Sequence, residues 1–238
     1  MSAARPITAT VLATCNLAPD LRRLVLGGGD LRALLPPPGA LGPYLKLHLA
    51  DAEGCERIRT YSLRHFDLQR GELHVDIALH GEDSVGSRFA LQARPGDKVG
   101  LRGPGVIPAP PCRSYLLAGD HTALPAIART LETLPGDVAV TVVLETPNPD
   151  ARCLLAYTGR DICCLQRRPG EPSRLMDAVS EATPQKREDL MVWAGAEAGI
   201  ARAIRKYART TLRLPPARCQ ILNYWKAGRA EGEFDCMA

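Results

Sequence analysis

Short apolar stretches with a period of two fill the first part of the chain. ITATVLATCNL, LRRLVLGG, YLKLHLA, RIRTYSL, GELHVDIALH and DKVGLRG each alternate apolar and polar positions, with polar turns between them. Six such stretches at this spacing predict antiparallel strands in a small barrel or sandwich. One segment breaks the rhythm: SVGSRFALQA, residues 84–93, reads as a helix. The opening ITATVLAT faintly imitates a signal peptide, but its β-branched alternation and thin charged region favour a strand. The glycines at 27–29 run into LLPPPG and not into a helix, so they predict a turn, not a phosphate loop.

Beyond residue 105 the period changes. The stretch GPGVIPAPP, residues 103–111, predicts a linker. After it the apolar runs YLLAG, VAVTVVLE, DICCL, LMVWAG and CQILNYW alternate with helical TALPAIARTLETL, EPSRLMDAVSEA and EAGIARAIRKYARTTL. Five buried strands interleaved with helices predict a parallel α/β sheet, whose ligands sit at the carboxyl ends of the strands near a switch in strand order. The expected division is a first domain over 1–107 and a second over 112–238. One such part can hold a prosthetic group while the other brings a soluble partner to it.

Composition narrows the function classes. A chain of 238 residues, 45% hydrophobic, can bury a real core, and no run of about 18 apolar residues offers a membrane span. The net charge of +4 is too diffuse for a nucleic-acid stripe, so no nucleic-acid partner is expected. Only Lys46, Lys98, Lys186, Lys206 and Lys226 among the 30 basic residues are lysines; the arginine excess suits anionic small ligands, and high-GC coding would produce it equally well. The 8 cysteines include no C-x-x-C pair and the 5 histidines no zinc spacing, which predicts reduced thiols in a cytoplasmic protein and no resident metal; a monomer is expected, though no pattern in the chain speaks to its oligomeric state.

Three elements carry candidate chemistry. In RIRTYSL, Arg59 and Tyr61 share a strand face and Ser62 points to the other. An oxidised flavin asks for an aromatic ring, a donor near its N5 and an Arg on its phosphate, although an ordinary half-exposed strand is the competing reading. Gly86, Ser87 and Arg88 open the helix after LHVDIALHG, where backbone N–H groups can cradle a pyrophosphate or merely be capped by serine. In YLLAGDHTALPAI a strand turns sharply into a helix at Gly119 and Asp120, with Thr122 as a cap or phosphate contact; no G-x-G-x-x-G is present.

In order, R-T-Y-S-L-R, V-D-I-A-L-H-G, G-S-R-F-A, A-G-D-H-T-A-L-P-A-I, W-A-G-A-E and N-Y-W-K-A-G resemble the siderophore-interacting protein family, FAD-dependent ferric-siderophore reductases of the ferredoxin-reductase-like superfamily. The resemblance runs from about residue 7 to 229 and is most specific in LLAGDHTALPAIARTLETLP. It implies an antiparallel flavin-binding β-barrel followed by a parallel-sheet α/β NAD(P)H domain. It also implies that Arg59, Tyr61 and Ser62 bind flavin, that Asp76, His80 and Gly81 border it, and that Gly86, Ser87 and Arg88 form its phosphate turn. Asp120, Thr122, Ala123, Leu124 and Glu197 match positions near the nucleotide, while Lys46 and Lys226 are the cations implied for an anionic ferric chelate.

Departures from the family pattern gather in the second half. His121 stands for a usual Glu, the glycine of WAGAE comes one place early with Ala196 after it, CCLQRR with Cys164 and Gln166 replaces W-L-H-R, and Asn223 replaces a Gly. Flavin binding is therefore more firmly expected than nicotinamide binding, and NADPH, NADH and reduced ferredoxin all stay open as donors. The expected activity passes electrons through FAD to a ferric siderophore. Alternatives are a general NAD(P)H:flavin or electron-carrier reductase, or a non-catalytic siderophore-binding module. The basic residues Arg202, Arg205, Lys206 and Arg209 of the last helix suit an acidic partner such as a ferredoxin, with a solvated face as the plainer reading.

Overall fold

A computed structural model describes residues 5–80, 84–155 and 160–234 of the chain. Two compact units divide it, one built almost wholly from the residues up to Val106 and the other from Ile107 onward.

The first unit is a closed barrel of β1 (Ile7–Ala18), β2 (Leu21–Gly27), β3 (Tyr44–Ala50), β4 (Glu56–Asp67), β5 (Glu72–Ala78) and β6 (Lys98–Gly105), in the order β1-β2-β5-β4-β3-β6 with antiparallel pairing. Closure leaves no free sheet edge. The period-two pattern has a direct outcome: Leu24, Leu26, Leu45, Leu47, Leu63, Leu73, Val75, Ile77 and Leu101 all point into one core. Helix α1 (Val85–Gln92) packs Ala90 into the same core, and the Ser84 hydroxyl caps its first turn by accepting from Ser87 N. The turn expected at 27–29 is realised with Gly28 and Gly29 at φ of 76° and 65°. A side chain on Gly29 would also meet the Thr8 carbonyl at 2.8 Å, so both conformation and space select glycine there.

Strand β6 runs further than the sequence pattern indicates. Gly103 to Gly105, expected in a linker, lie inside it, and Gly105 pairs with Tyr44. A Gly-Pro pair is a local breaker, but cross-strand pairing decides at the end of a barrel strand.

The second unit is a five-stranded parallel sheet: β7 (Ser114–Asp120), β8 (Ala139–Thr146), β9 (Asp161–Gln166), β10 (Leu190–Glu197) and β11 (Cys219–Trp225), in the order β11-β10-β7-β8-β9. Helices α2 (Leu124–Thr133), α3 (Leu175–Ala182) and α4 (Ala198–Lys206) make three of the crossovers, and a 3-10 segment, Pro149–Leu155, lies on the β8-to-β9 connection. Helix α4 widens into a π turn at Tyr207–Thr211, where Leu212 N reaches back to the Tyr207 carbonyl. Ile107 and Pro108 are tied to this unit, since both of their carbonyls accept from Gln220 Nε2 at 2.9 Å. The strand order reverses between β7 and β10, so the carboxyl ends of those two strands form the switch point.

Candidate functional site

Residues Arg59, Tyr61 and Ser62 all lie on β4. Antiparallel register sets Arg59 opposite Leu47 and Tyr61 opposite Leu45, so both share the face of the barrel core. Ser62 and Thr60 lie on the other face, opposite Tyr44 and Lys46. The Tyr61 ring packs against the core while its hydroxyl reaches the first turn of α1, where a Cβ on Gly86 would collide with it. Glycine at 86 thus lets the aromatic side chain of β4 meet the amino end of a helix. Ser62 is buried, and Arg59 lays Nη1 on the Ile58 carbonyl at 2.9 Å. Tyr44 makes a matching arrangement, its ring lying where a Cβ on Gly105 would be.

The other barrel candidates divide. Ser87 is buried, and its hydroxyl accepts from His80 N at 3.1 Å, which fixes the strand end to the helix start. His80 is exposed, Arg88 is half-buried on α1, and Gly81 lies outside the described residues. Asp76, expected to border a flavin, also braces two strands. It is 5% exposed, and its two oxygens accept from Arg23 Nε and Nη2 at 2.7 and 2.8 Å across β2 and β5, with Arg64 Nε at 3.9 Å. Asp76 is therefore a strut between strands. Lys46 is exposed, on the face opposite to Arg59 and Tyr61.

In the second unit one carboxylate organises the switch point. Asp120, at the end of β7 and 3% exposed, accepts four hydrogen bonds. Oδ1 takes Thr122 N at 3.0 Å and the Thr122 hydroxyl at 2.5 Å; Oδ2 takes Glu197 N at 3.0 Å and the Trp225 indole N–H at 2.8 Å. Asp120, expected beside the nucleotide, accepts from Thr122 in the turn after β7 and from donors at the ends of β10 and β11. Glu197 likewise serves its own helix, its Oε2 accepting from Gly199 N at 2.5 Å as the cap of α4. Ala123 and Leu124 are buried where the 3-10 turn His121–Ala123 enters α2.

Glycine geometry explains one departure from the family pattern. Gly119 and Gly195 are paired across β7 and β10; a Cβ on Gly119 would stand 2.7 Å from the Gly195 carbonyl, and one on Gly195 would stand 2.8 Å from the Tyr224 ring. Tyr224 sits at a register shift in β11 and meets the buried Trp193 edge to face at 6.2 Å. The early glycine of WAGAE is where this ring needs room.

Beyond the carboxyl ends of β7 and β8 lies a cleft of about 210 Å³, lined among others by His121, Glu145, Thr146, Arg167, Arg168 and Trp225. Glu145, Arg167, Arg168 and Trp225 are not among the site residues expected from the sequence, although Q-R-R directly after a strand pattern is a usable signal. Lys226, just past Trp225, is exposed in a turn closed by a bridge to Arg229. The basic face of α4 is partly spent internally: Arg205 Nη2 binds the Ile221 carbonyl at 2.7 Å, and Arg209 Nη1 the Leu214 carbonyl at 2.7 Å. Cys164 is half-buried on β9, and burial pushes its thiol pKa up.

A closed antiparallel barrel followed by a parallel sheet with its switch point between first and fourth strands defines a ferredoxin-reductase-like flavoprotein fold. A ferredoxin NADP+ reductase from Neisseria gonorrhoeae with bound FAD and NADP shares it, with a TM-score of 0.69 over 94% of this chain and 100% of that one, at 12% identity. Residues 50–107 match the siderophore-interacting FAD-binding domain, and residues 112–228 match the siderophore-interacting protein family. The siderophore-interacting protein SipS from Aeromonas hydrophila superposes with a TM-score of 0.83 at 30% identity, covering 96% of this chain and 94% of that one. An uncharacterized protein of Mycobacterium tuberculosis is 31% identical over 98% of this chain and 94% of its own length. The ferric vibriobactin reductase ViuB of Vibrio cholerae is 31% identical over 74% of this chain and 67% of its own. The chain belongs to the siderophore-interacting protein family.

Proposed function

We propose that the protein is an FAD-dependent ferric-siderophore reductase that takes electrons from a reduced pyridine nucleotide, with the barrel, residues 1–107, holding FAD and residues 112–238 the nucleotide. One observation carries the reading: the Tyr61 hydroxyl meets the amino end of α1 at Gly86, so an aromatic face and a helix amino end adjoin on the unit that matches a FAD-binding domain. That cradle fits an isoalloxazine ring beside a pyrophosphate.

FAD, when bound, accepts a hydride and releases electrons one at a time, which converts a two-electron donor into a reductant for Fe(III). The chain's own residues hold and orient it. Tyr61 offers its ring, Arg59 a guanidinium for phosphate, Ser62 a hydroxyl or backbone donor, and Ser84, through its cap on Ser87 N, fixes the start of α1. Asp120 keeps the ends of β7, β10 and β11 in one geometry, so the nucleotide meets a preformed surface. The siderophore's hard oxygen donors hold Fe(III) far better than Fe(II), so reduction releases the metal. No protein acid, base or metal ligand is needed, and Lys46 and Lys226 supply positive charge for an anionic chelate.

A reduced pyridine nucleotide is favoured as the donor because the fold is shared with a reductase that holds FAD and NADP. The test is steady-state Fe(II) production, read with an Fe(II) trap, from FAD-loaded protein, a ferric hydroxamate or catecholate and NADPH or NADH. Donor-dependent Fe(II) supports the reading. Its absence with every chelate removes it, and stoichiometric chelate binding without turnover would instead identify a binding module.

A further inference from the structure

A second cavity, of about 420 Å³, follows Cys219 to Leu222 in the amino-terminal half of β11. We propose that it binds a small organic carboxylate, with the charged group on Arg205 and Arg209 and the apolar body on Ile107, Pro108, Pro216 and Leu222. The site stands independently of the reductase reading.

Charge makes the first argument. The lining carries two guanidinium groups and, among the described residues, no carboxylate. Arg218, next to the lining residues Ala217 and Cys219, is balanced by Asp189 at 3.0 Å, so that pair adds no net charge. Both lining arginines are anchored: Arg205 Nη2 donates to the Ile221 carbonyl at 2.7 Å, and Arg209 Nη1 to the Leu214 carbonyl at 2.7 Å. Guarding the open edge of β11 accounts for the first of these bonds, but Arg209 makes none to that strand's backbone among the described residues. A guanidinium carries five N–H donors, so Arg209 keeps donors for a ligand. A fork already immobilised loses little freedom when it takes a carboxylate.

The walls make the second. Gln220 Nε2 donates to the carbonyls of both Ile107 and Pro108 at 2.9 Å, which pins that segment to β11 and forms one side of the cavity in advance. Pro108 and Pro216 add rings of fixed backbone geometry. The volume falls within the roughly 300–1,000 Å³ of whole-ligand pockets. Inorganic phosphate would satisfy the arginines and leave the apolar walls wet, which favours an organic acid.

Place makes the third. Cys219 and Trp225 are the two ends of β11, roughly 20 Å apart at about 3.3 Å per residue. Trp225 meets Asp120 at the switch point, so the cavity lies toward the opposite end of the sheet and is a site of its own. Cys219 lines it and serves as a reporter. Burial pushes its thiol pKa up, and the neighbouring Arg209 guanidinium offsets part of that rise.

Calorimetry of the full chain with 2-naphthoate, its neutral amide 2-naphthamide and inorganic phosphate at low salt tests this. The carboxylate is expected to bind at least about tenfold tighter than the amide, an advantage that Arg209→Gln removes. Ala217→Trp, at an exposed position of the wall, should abolish binding of both organic ligands by filling the space. On the unaltered protein, 2-naphthoate should slow alkylation of Cys219 by iodoacetamide, read from the mass of the Cys219 peptide. That readout needs no variant, so it decides even where melting curves show that a substitution has cost the fold. Equal binding of carboxylate and amide, no binding of the carboxylate, phosphate binding as tightly as 2-naphthoate, binding that survives Ala217→Trp, or alkylation of Cys219 unaffected by 2-naphthoate each overturns the proposal.

Discussion

The Trp225 indole N–H donates to Asp120 Oδ2 at 2.8 Å, joining the end of the last strand to the end of the first strand of the sheet across 105 positions of sequence. Glu197 N meets the same oxygen at 3.0 Å, so a single atom ties the ends of three strands together at the switch point. A buried carboxylate with four donors around it tolerates no neutral replacement, because removing it strands every donor at once.

Asp120→Ala is therefore expected to cost about 3 kcal/mol or more in urea unfolding. Asp120→Asn should also destabilise, since its amide N–H₂ must face either Thr122 N or the pair Glu197 N and Trp225 Nε1. Trp225→Phe removes one donor and leaves the carboxylate three, so its loss should be nearer 1 kcal/mol. An Asp120→Asn variant as stable as the parent would contradict this ranking.

Gly86→Ala should weaken FAD binding by about tenfold, because the new methyl collides with the Tyr61 hydroxyl and displaces the ring. Combining it with Tyr61→Phe removes the atom struck first and should recover part of the affinity. Quenching of flavin fluorescence on titration gives both constants, and an unchanged constant in Gly86→Ala would show that this contact does not shape the cradle.

Gly195→Ala places a methyl 2.8 Å from the Tyr224 ring, which is itself backed by Trp193. The strand must shift or the ring must leave, at a cost of about 1–3 kcal/mol. Thermal unfolding followed by near-ultraviolet circular dichroism reads both the stability and the aromatic pair.

His74 predicts a pH response. Burial first, then the charges of Arg23 and His65, hold its pKa below the ordinary 6.5. The unfolded chain therefore binds the proton more readily than the folded one. Stability contributed by neutral His74 is present above about pH 6.5 and is lost as pH falls below it toward the folded pKa. Unfolding temperature measured from pH 7.5 to 5.5 should fall more steeply in the parent than in His74→Gln; parallel curves would rule out this source.

Both sheets were legible in the sequence because periodicity is a local property. Alternation over six stretches required a one-faced antiparallel core, and five apolar runs between helices required a parallel sheet. Pairing was not legible. Asp76 reads as a polar strand residue near a flavin motif, yet its partner Arg23 lies 53 positions away and turns it into a strut. The Gly-Pro pair of β6 reads as a break, yet Tyr44 of β3 decides that it is strand. Glu145 and Arg167 are unremarkable apolar-run neighbours until β8 and β9 lie side by side and bring them within 3.5 Å. Site residues defined by strand order appear only once the order is known.

Electron transfer from flavin to ferric chelate is the step on which the proposed function rests. Holoprotein loaded with FAD, photoreduced without oxygen and mixed with excess ferric hydroxamate in the presence of an Fe(II) trap, tests it without involving any nucleotide. Return of the oxidised flavin spectrum with about two Fe(II) trapped per FAD is expected, as two-electron carriers require. A flavin that stays reduced in the presence of the chelate, or chain that retains no FAD at all, would contradict it.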